Sequence, residues 1–339
     1  MNDRKIVIHA GSHKTGTSAI QNYLYEHRAN GQFDYLSRNN ANSSLWMLQA
    51  FKRDLASLPA FRHQQLDVAR LEEIRERALD HLDQLVRTGT LPVAILSAES
   101  ISTFALGELK DLYDFIAPHY REVAIHQYFM PLKARMESAF QEKLKHRYAS
   151  LAEKVQLGYR GNVELLDRVF GRDKVFVHRY AQADFPGGDV VQHFLAATGI
   201  EFHPYAGRPA NTSLSHGAVQ LLYSYRKINP SLQAGDRVIV QRLGELAGRP
   251  FRFHSKLYSS LLGISKEAIA QFEARAGFSV SDDISVDDDT GIFSEEDLLS
   301  IDQETLDWLG QQVSGSGASC GPSAGDLASI AAAAGKLAR

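Results

Sequence analysis

Residues 5–26 read K-I-V-I-H-A-G-S-H-K-T-G-T-S-A-I-Q-N-Y-L-Y-E, and this stretch decides the fold. Its first part, Lys5 to Ala10, is a short apolar run bounded by Gly11, which predicts a buried strand. Its last part, Thr17 to Glu26, places apolar side chains three and four residues apart, which predicts a helix. The sequence therefore predicts a strand, a glycine-containing loop and a helix in succession.

The loop, residues 9–18, carries the residue types that bind an anion. Glycines let backbone amides converge, and the start of a helix adds partial positive charge. Lys14 adds a full charge, and Thr15, Thr17 and Ser18 add hydroxyl donors. The loop differs from the nucleotide-triphosphatase pattern G-x-x-x-x-G-K-[ST], because Thr17 stands where that pattern has lysine, and it also differs from G-x-G-x-x-G. These features indicate a phosphate cradle, with a glycine turn that only caps a helix as the alternative.

Outward from this loop, strands alternate with helices to about residue 205. The predicted strands are Lys5–Ala10, Pro92–Ser97, Glu122–Phe129 and Lys174–Arg179. The predicted helices are Thr17–Glu26, Leu66–Arg87, Leu106–Ala117, 131–148, Asn162–Phe170 and Asp189–Thr198, and residues 31–63 are expected to be rich in loops. Strands joined by helical crossovers pair in parallel. The pattern thus predicts an α/β fold with a three-layer parallel sheet and a P-loop-like strand–loop–helix.

The later part of the chain is predicted to be a helical C-terminal extension. Its expected helices are Ser215–Ile228, Leu232–Leu246, Lys266–Ala276 and Ser294–Val313. Small residues dominate from 314 to 325, which is typical of a linker. We therefore expect an anion-binding core over residues 1–205, a helical acceptor-side region over 206–313 and a flexible tail over 314–339.

Composition narrows the function. The 339 residues carry 37 basic and 40 acidic side chains, a formal net charge of -3, which disfavours a nucleic-acid polymer as partner. The single cysteine, Cys320, excludes a disulfide framework and predicts a reducing, cytoplasmic location. The sequence has no apolar run of the length that a transmembrane segment needs, and its N-terminus lacks the apolar core of a signal peptide.

The pattern H-x-G-x-x-K-T-G-T-S, followed by Ile20 and Gln21, resembles the 5′-phosphosulfate loop of sulfotransferases that use 3′-phosphoadenosine-5′-phosphosulfate (PAPS). Among these enzymes, it is most similar to the bacterial group that resembles carbohydrate sulfotransferases. The resemblance covers roughly residues 5–228 and implies PAPS as donor, 3′,5′-ADP as product and no requirement for a metal. It also implies that Lys14 stabilises the transferred group, and that the 5′-phosphate is held by Gly11, Ser12, His13, Lys14, Thr15, Gly16, Thr17 and Ser18.

Glu99 is the candidate general base. It ends the predicted strand I-L-S-A-E, and open α/β sheets bind ligands beyond the carboxyl ends of their strands. In related sulfotransferases a glutamate or histidine takes the proton of the acceptor hydroxyl. The alternative is that Glu99 only caps the following helix. His13 and His9 are further candidates, although His9 alternates with buried strand residues and also fits a core histidine.

The segment Tyr128–Gln141 resembles the family's 3′-phosphate-binding segment, in which an arginine at the strand end and a serine on the helix grip the phosphate. Ser138 matches the serine, but Met130 stands at the arginine position and methionine cannot bind phosphate. Arg135 shares a helical face with Ser138 and is a substitute, as is Lys133. Weak donor binding or lost activity are the alternatives.

Two later segments also resemble the family. Tyr159–Tyr180 is similar to its helix–F-G–strand unit, and Arg179 ends the strand. R-P-A-N-T-S-L-S at residues 208–215 is similar to an element before a helix, which implies phosphate contacts from Arg208, Asn211 and Ser213. The alternative for this element is that Ser213 or Ser215 is simply a helix N-cap.

The sequence thus predicts a sulfotransferase that acts on a hydroxyl or amine acceptor, with a glycan or glycoconjugate as the family-level expectation. Two alternatives stay open. One is a P-loop kinase-like phosphotransferase that uses ATP and magnesium, against which the shifted lysine argues. The other is a non-catalytic nucleotide-binding relative, which is supported by Met130 at the position of the phosphate-binding arginine.

Overall fold

The computed structural model describes residues 3–12, 14–58, 60–62, 64, 66–153, 159–205, 213–258, 263, 265–285, 291–314 and 325–338. The chain forms two compact units. The first comprises residues 1–130, 158–210 and 268–278, and the second comprises 131–157, 211–267 and 279–339. His13, Arg208, Asn211 and Cys320 lie outside the described residues.

The strands are β1 (Lys5–His9), β2 (Asp34–Tyr35), β3 (Val93–Ser97), β4 (Glu122–Phe129) and β5 (Val175–Arg179). The helices are α1 (Thr17–Glu26), α2 (Ser44–Phe51), α3 (Val68–Thr88), α4 (Leu106–Ile116), α5 (Leu132–His146), α6 (Tyr159–Phe170), α7 (Val190–Thr198), α8 (His216–Ile228), α9 (Asp236–Leu243), α10 (Lys266–Ala276), α11 (Glu295–Leu299), α12 (Gln303–Ser314) and α13 (Leu327–Lys336).

The first unit is built on a five-stranded sheet with the order β2-β3-β1-β4-β5, in which every pairing is parallel. Both faces of the three central strands, β3, β1 and β4, are buried. Ile6 and Ile8 of β1 pack into a cluster with residues of α3, α4 and α6, whereas Val7 packs into a second cluster with residues of α1 and α7. Strands covered on both faces carry continuous apolar runs, which β1 and β3 do. The predicted three-layer α/β fold is therefore confirmed.

The structure adds elements that the sequence did not predict. Residues 31–63 were expected to be rich in loops, yet they contain β2 and α2. The helix expected over Ser294–Val313 is two helices, α11 and α12. The break between them is fixed by Asp302, whose carboxylate accepts a hydrogen bond from the Thr305 amide (2.7 Å) and caps the start of α12.

The second unit has an apolar core of its own, formed largely by α5, α8, α9, α12 and α13. Helix α13 lies in the segment expected to be a flexible tail, and Ile330 and Ala334 on it are buried in this core. Arg226 is fully buried, pairs with Asp236 (2.6 Å) and donates to the carbonyls of Leu144 and Lys145 at the end of α5. A buried charge with all these partners fixes α8 against α5.

Candidate functional site

The predicted loop lies at the point where the strand order of the sheet reverses. The chain leaves β3 on one side of β1 and enters β4 on the other side, and His9 at the end of β1 is in register with Ser97 and with His126. Ligands of open α/β sheets bind at such switch points, outside the carboxyl ends of the strands. The fold thus brings the loop after β1 and Glu99 after β3 to the same edge.

Three residues of the loop have backbone conformations in the left-handed region. Gly11 has φ 52°, Lys14 has φ 66° and Gly16 has φ 72°, and Lys14 is the only non-glycine residue with positive φ in the described part of the chain. This conformation costs a non-glycine residue about 1–2 kcal/mol. Such strain concentrates at ligand-binding and catalytic sites, where the surrounding structure holds it in place. The glycines were predictable from the sequence, but the conformation of Lys14 was not.

The carbonyl oxygen of Ser12 holds the loop together. It accepts hydrogen bonds from the Thr15 amide (3.4 Å), the Thr15 hydroxyl (2.8 Å) and the Thr17 hydroxyl (3.2 Å). Each hydroxyl has a single hydrogen, so in this arrangement Thr15 and Thr17 use theirs inside the loop. A contact from either hydroxyl to a phosphate, as the sequence predicts, requires that hydroxyl to rotate. The side chain of Ser18 is exposed.

The backbone amides of the loop are a further feature of the site. Among the described residues, no hydrogen bond is formed by the backbone N–H groups of Ser12, Gly16, Thr17 and Ser18. Helix α1 begins after Gly16, which provides no side chain to cap its first turn. Free N–H groups at the positive end of a helix form an anion-binding site, and Lys14 adds its charge to the same loop. The arrangement of this loop suits a phosphate or a sulfate ester.

Glu99 lies directly against this loop. It is half-buried and begins a short 3-10 turn, Glu99–Thr103. A Cβ added to Gly11 would lie 3.0 Å from the Cα of Glu99, so glycine is needed for the two backbones to approach. At the start of α4, the Ala105 amide donates to the carboxylate of Glu108 (2.8 Å).

His9 is a core residue. It is fully buried, its Nδ1 lies 2.8 Å from the Ser97 hydroxyl, and its ring packs against Phe194 at 5.2 Å. Burial lowers the pKa of His9 to about 3, so the ring is neutral at pH 7. Because no part of it reaches solvent, His9 does not suit the role of a base that takes a proton from a substrate.

His9 belongs to a row of histidines beneath one face of the sheet. The Nδ1 of His126 on β4 lies 3.0 Å from the Nε2 of His178 on β5, and His193 on α7 packs edge-on against His178. Burial lowers the pKa of His126 to about 3 and that of His178 to about 4. The unfolded chain therefore binds more protons than the folded one below the ordinary histidine value of 6.5. The histidine row therefore costs no stability above pH 6.5. As the pH falls from 6.5 towards the pKa values of the folded state, the free energy of unfolding decreases.

The predicted 3′-phosphate residues lie on α5, in the second unit. Ser138 and Arg135 are half-buried, and Met130, at the arginine position, is buried. The first turn of α5 is capped by an acid that sequence reasoning missed: the carboxylate of Asp283 accepts from the amides of Lys133 (3.3 Å) and Ala134 (3.1 Å).

The later candidates are distributed as follows. Ser215 is the N-cap of α8, because its hydroxyl accepts from the Ala218 amide (3.3 Å), so the capping alternative is confirmed for Ser215. Ser213 is exposed. Arg179 at the end of β5 donates to the carboxylate of Asp184 (3.2 Å). In the described part of the chain, no group of three or more histidine, cysteine, aspartate or glutamate side chains is arranged to hold a metal ion.

The fold of this chain is similar to that of a solved structure. The crystal structure of a sulfotransferase from Alicyclobacillus acidocaldarius is similar to this chain with a TM-score of 0.38 and 14% sequence identity, over 81% of this chain and 97% of that one. A likeness of this size carries no functional argument by itself. Neither the models of known families nor the sequences of curated proteins match the chain. Within the described residues, no helix is both long and apolar enough to cross a membrane.

Proposed function

We propose that this protein is a sulfotransferase that moves a sulfuryl group from PAPS to a hydroxyl or amine acceptor, with a carbohydrate as the expected acceptor class. One observation carries the proposal. At the switch point of a parallel sheet, the loop after β1 presents backbone N–H groups that bond to no acceptor in the described part of the chain, next to a lysine held at positive φ. The sequence pattern of the same loop supports PAPS over other phosphate esters, because it resembles the 5′-phosphosulfate loop.

The loop residues have distinct roles in this proposal. The amides from Ser12 to Ser18 hold the 5′-phosphate of the donor, whose mixed phosphate–sulfate anhydride supplies an activated sulfuryl group. Lys14 places a positive charge where negative charge develops on the leaving phosphate oxygen and the sulfonate oxygens. Charge fixed in advance at such a position lowers the barrier without a cost of reorganisation. Sulfuryl transfer, like phosphoryl transfer, depends mainly on such positioning and charge stabilisation.

Glu99 takes the proton of the acceptor in the same proposal. The close approach of Gly11 to Glu99 keeps this carboxylate beside the loop. A general base must lie within hydrogen-bond reach of the proton it removes, so this role requires the acceptor to bind next to the loop. His13 remains a second candidate for this role.

For the 3′-phosphate we propose Ser138 with Arg135, and Arg208, Asn211 and Ser213 as further contacts. Met130 removes one cation from this set, so we expect donor affinity to depend strongly on Arg135. Met130 also favours a second candidate function, a protein that binds the nucleotide without transferring sulfate.

Two measurements separate these candidates. Thermal unfolding with 3′,5′-ADP and no divalent metal, compared with ATP plus magnesium, tests the donor class. A larger stabilisation by 3′,5′-ADP supports the sulfotransferase, and a larger one by ATP plus magnesium supports a phosphotransferase. Transfer of ³⁵S from labelled PAPS to a panel of carbohydrate, phenol and amine acceptors then tests catalysis. Tight binding of 3′,5′-ADP with no transfer to any acceptor would favour the non-catalytic protein.

A further inference from the structure

A buried glutamine on the neighbouring strand contacts the loop. Gln127, on β4, is 1% exposed, and its Nε2 donates to the carbonyl oxygen of Gly11 (3.1 Å). Its Oε1 is also buried and has no hydrogen-bond partner among the described residues. A buried amide with one unsatisfied atom destabilises a fold relative to an apolar side chain of the same shape. The position therefore retains a donor for a reason other than packing.

The carbonyl of Gly11 lies just beyond the regular pairing of the sheet. The last backbone bonds on either side of β1 run from the Ala10 amide to the His126 carbonyl (3.0 Å) and from the Ala98 amide to the His9 carbonyl (3.1 Å). Beyond that point, no backbone amide of the described residues donates to the Gly11 carbonyl. The side chain of Gln127 replaces the missing amide and extends the pairing by one carbonyl.

Fixing this carbonyl also fixes the next amide. The peptide bond between Gly11 and Ser12 is planar and trans, so its C=O and N–H point in opposite directions. With the carbonyl turned towards Gln127, the Ser12 N–H must point away from β4. That N–H is one of the loop donors that have no acceptor among the described residues.

We infer that Gln127 is a positioning residue of the anion cradle: its side-chain amide holds the Gly11 carbonyl and so keeps the Ser12 N–H directed at the bound phosphate. The inference rests on the proposed function for the identity of the ligand. The orientation of the loop by Gln127 does not depend on that identity. Gln127 touches no reacting atom, so its effect falls on donor affinity before it falls on the chemical step.

Three variants test this role. Gln127→Met keeps the shape and removes the donor. Gln127→Glu also removes the donor when it is ionised, but a neutral carboxyl can donate its O–H to Gly11. Gln220→Met is the matched control, because Gln220 is 2% exposed, donates to the carbonyls of Asp297 and Ser300, and has an unpartnered Oε1 as well.

The first readout is the dissociation constant of 3′,5′-ADP at pH 6 and pH 8.5, relative to the parent at each pH. Losing one oriented donor to a charged group predicts at least about 10-fold weaker binding for Gln127→Met at both pH values. Burial in an apolar surrounding raises the pKa of a carboxyl, so a buried glutamate at 127 is expected to be neutral at pH 6. Gln127→Glu should therefore bind nearly as the parent does at pH 6 and weakly at pH 8.5. Parent-like affinity of Gln127→Met, or equal losses for Gln127→Glu at both pH values, would overturn the inference.

The second readout needs no nucleotide. Hydrogen exchange of peptides that cover residues 10–20 should be faster in Gln127→Met than in the parent, and unchanged in Gln220→Met. If the parent does not bind 3′,5′-ADP but the exchange differs as expected, the proposed donor is wrong and the role of Gln127 in the loop stands. If the parent binds and neither readout changes in Gln127→Met, the proposed function stands and the inference on Gln127 is wrong.

Discussion

Replacement of Gly11 by alanine tests whether the contact between the loop and Glu99 matters. Gly11 has φ 52°, and an added Cβ would lie 3.0 Å from the Cα and 3.2 Å from the Cβ of Glu99. The nearest of these atoms belongs to the backbone, so it cannot rotate away as the end of a long side chain can. Gly31 provides a matched control, because its φ is 77° and a Cβ added there would meet nothing within 4 Å.

The expected magnitude follows from the two contributions. Positive φ costs an alanine about 1–2 kcal/mol at either position. Overpacking against a fixed neighbour adds about 1–3 kcal/mol at Gly11 alone. Gly31→Ala should therefore lower the free energy of unfolding by about 1–2 kcal/mol, and Gly11→Ala by about 2–5 kcal/mol.

The functional effect separates the two variants further. To relieve the clash, Gly11→Ala must move the loop or the start of the 3-10 turn at Glu99, which changes the direction of the Ser12 N–H. We expect 3′,5′-ADP to bind at least about 10-fold more weakly to Gly11→Ala and within about 2-fold of the parent to Gly31→Ala. Urea unfolding and isothermal titration calorimetry measure the two quantities. Equal losses of stability and equal affinities in the two variants would refute the argument.

Further predictions concern charge and acid stability. Lys14→Ala should reduce the rate of sulfate transfer about 100-fold or more, because removing a preorganised charge that stabilises the transition state has effects of this size. Lys110→Ala, at an exposed position on α4, should keep the parent rate. An unchanged rate in Lys14→Ala would contradict the role of the lysine. His9 and His126 should each lower the free energy of unfolding by about 2 kcal/mol between pH 8 and pH 5. At pH 5, which is 1.5 units below the ordinary histidine pKa of 6.5, these side chains are protonated in the unfolded chain and neutral in the folded one. Urea unfolding should show a weaker pH dependence of the free energy of unfolding in His126→Gln, but not in His146→Gln, which changes an exposed histidine. An equally steep pH dependence in the two variants would show that the histidine row does not cause it.

The parts of the fold that sequence patterns predicted are those that local chemistry determines. Short apolar runs predicted the strands β1, β3, β4 and β5, and amphipathic segments predicted the helices between them. Both patterns are properties of each segment alone. Strand β2 has two residues and exists through its pairing with β3, which no local period reveals. The break between α11 and α12 depends on a single cap at Asp302.

The candidate site divides in the same way. Residue types predicted the loop, since glycine, lysine and hydroxyl side chains at this spacing suit an anion whatever surrounds them. The bonds of Thr15 and Thr17 to Ser12 and the left-handed backbone of Lys14 were not predictable, because they follow from the path of the loop. Gln127 was missed because its role depends on the register between β4 and β1; the one available signal was an amide near the end of a largely apolar strand.

The binding of 3′,5′-ADP to the parent and to Lys14→Ala, measured by calorimetry without divalent metal, tests the central claim most directly. The account predicts one nucleotide bound per chain, at least about 10-fold weaker binding to Lys14→Ala, and weaker binding of ATP with magnesium to the parent. No binding of 3′,5′-ADP to the parent, or equal affinity in Lys14→Ala, would contradict the claim that the loop after β1 is the donor site.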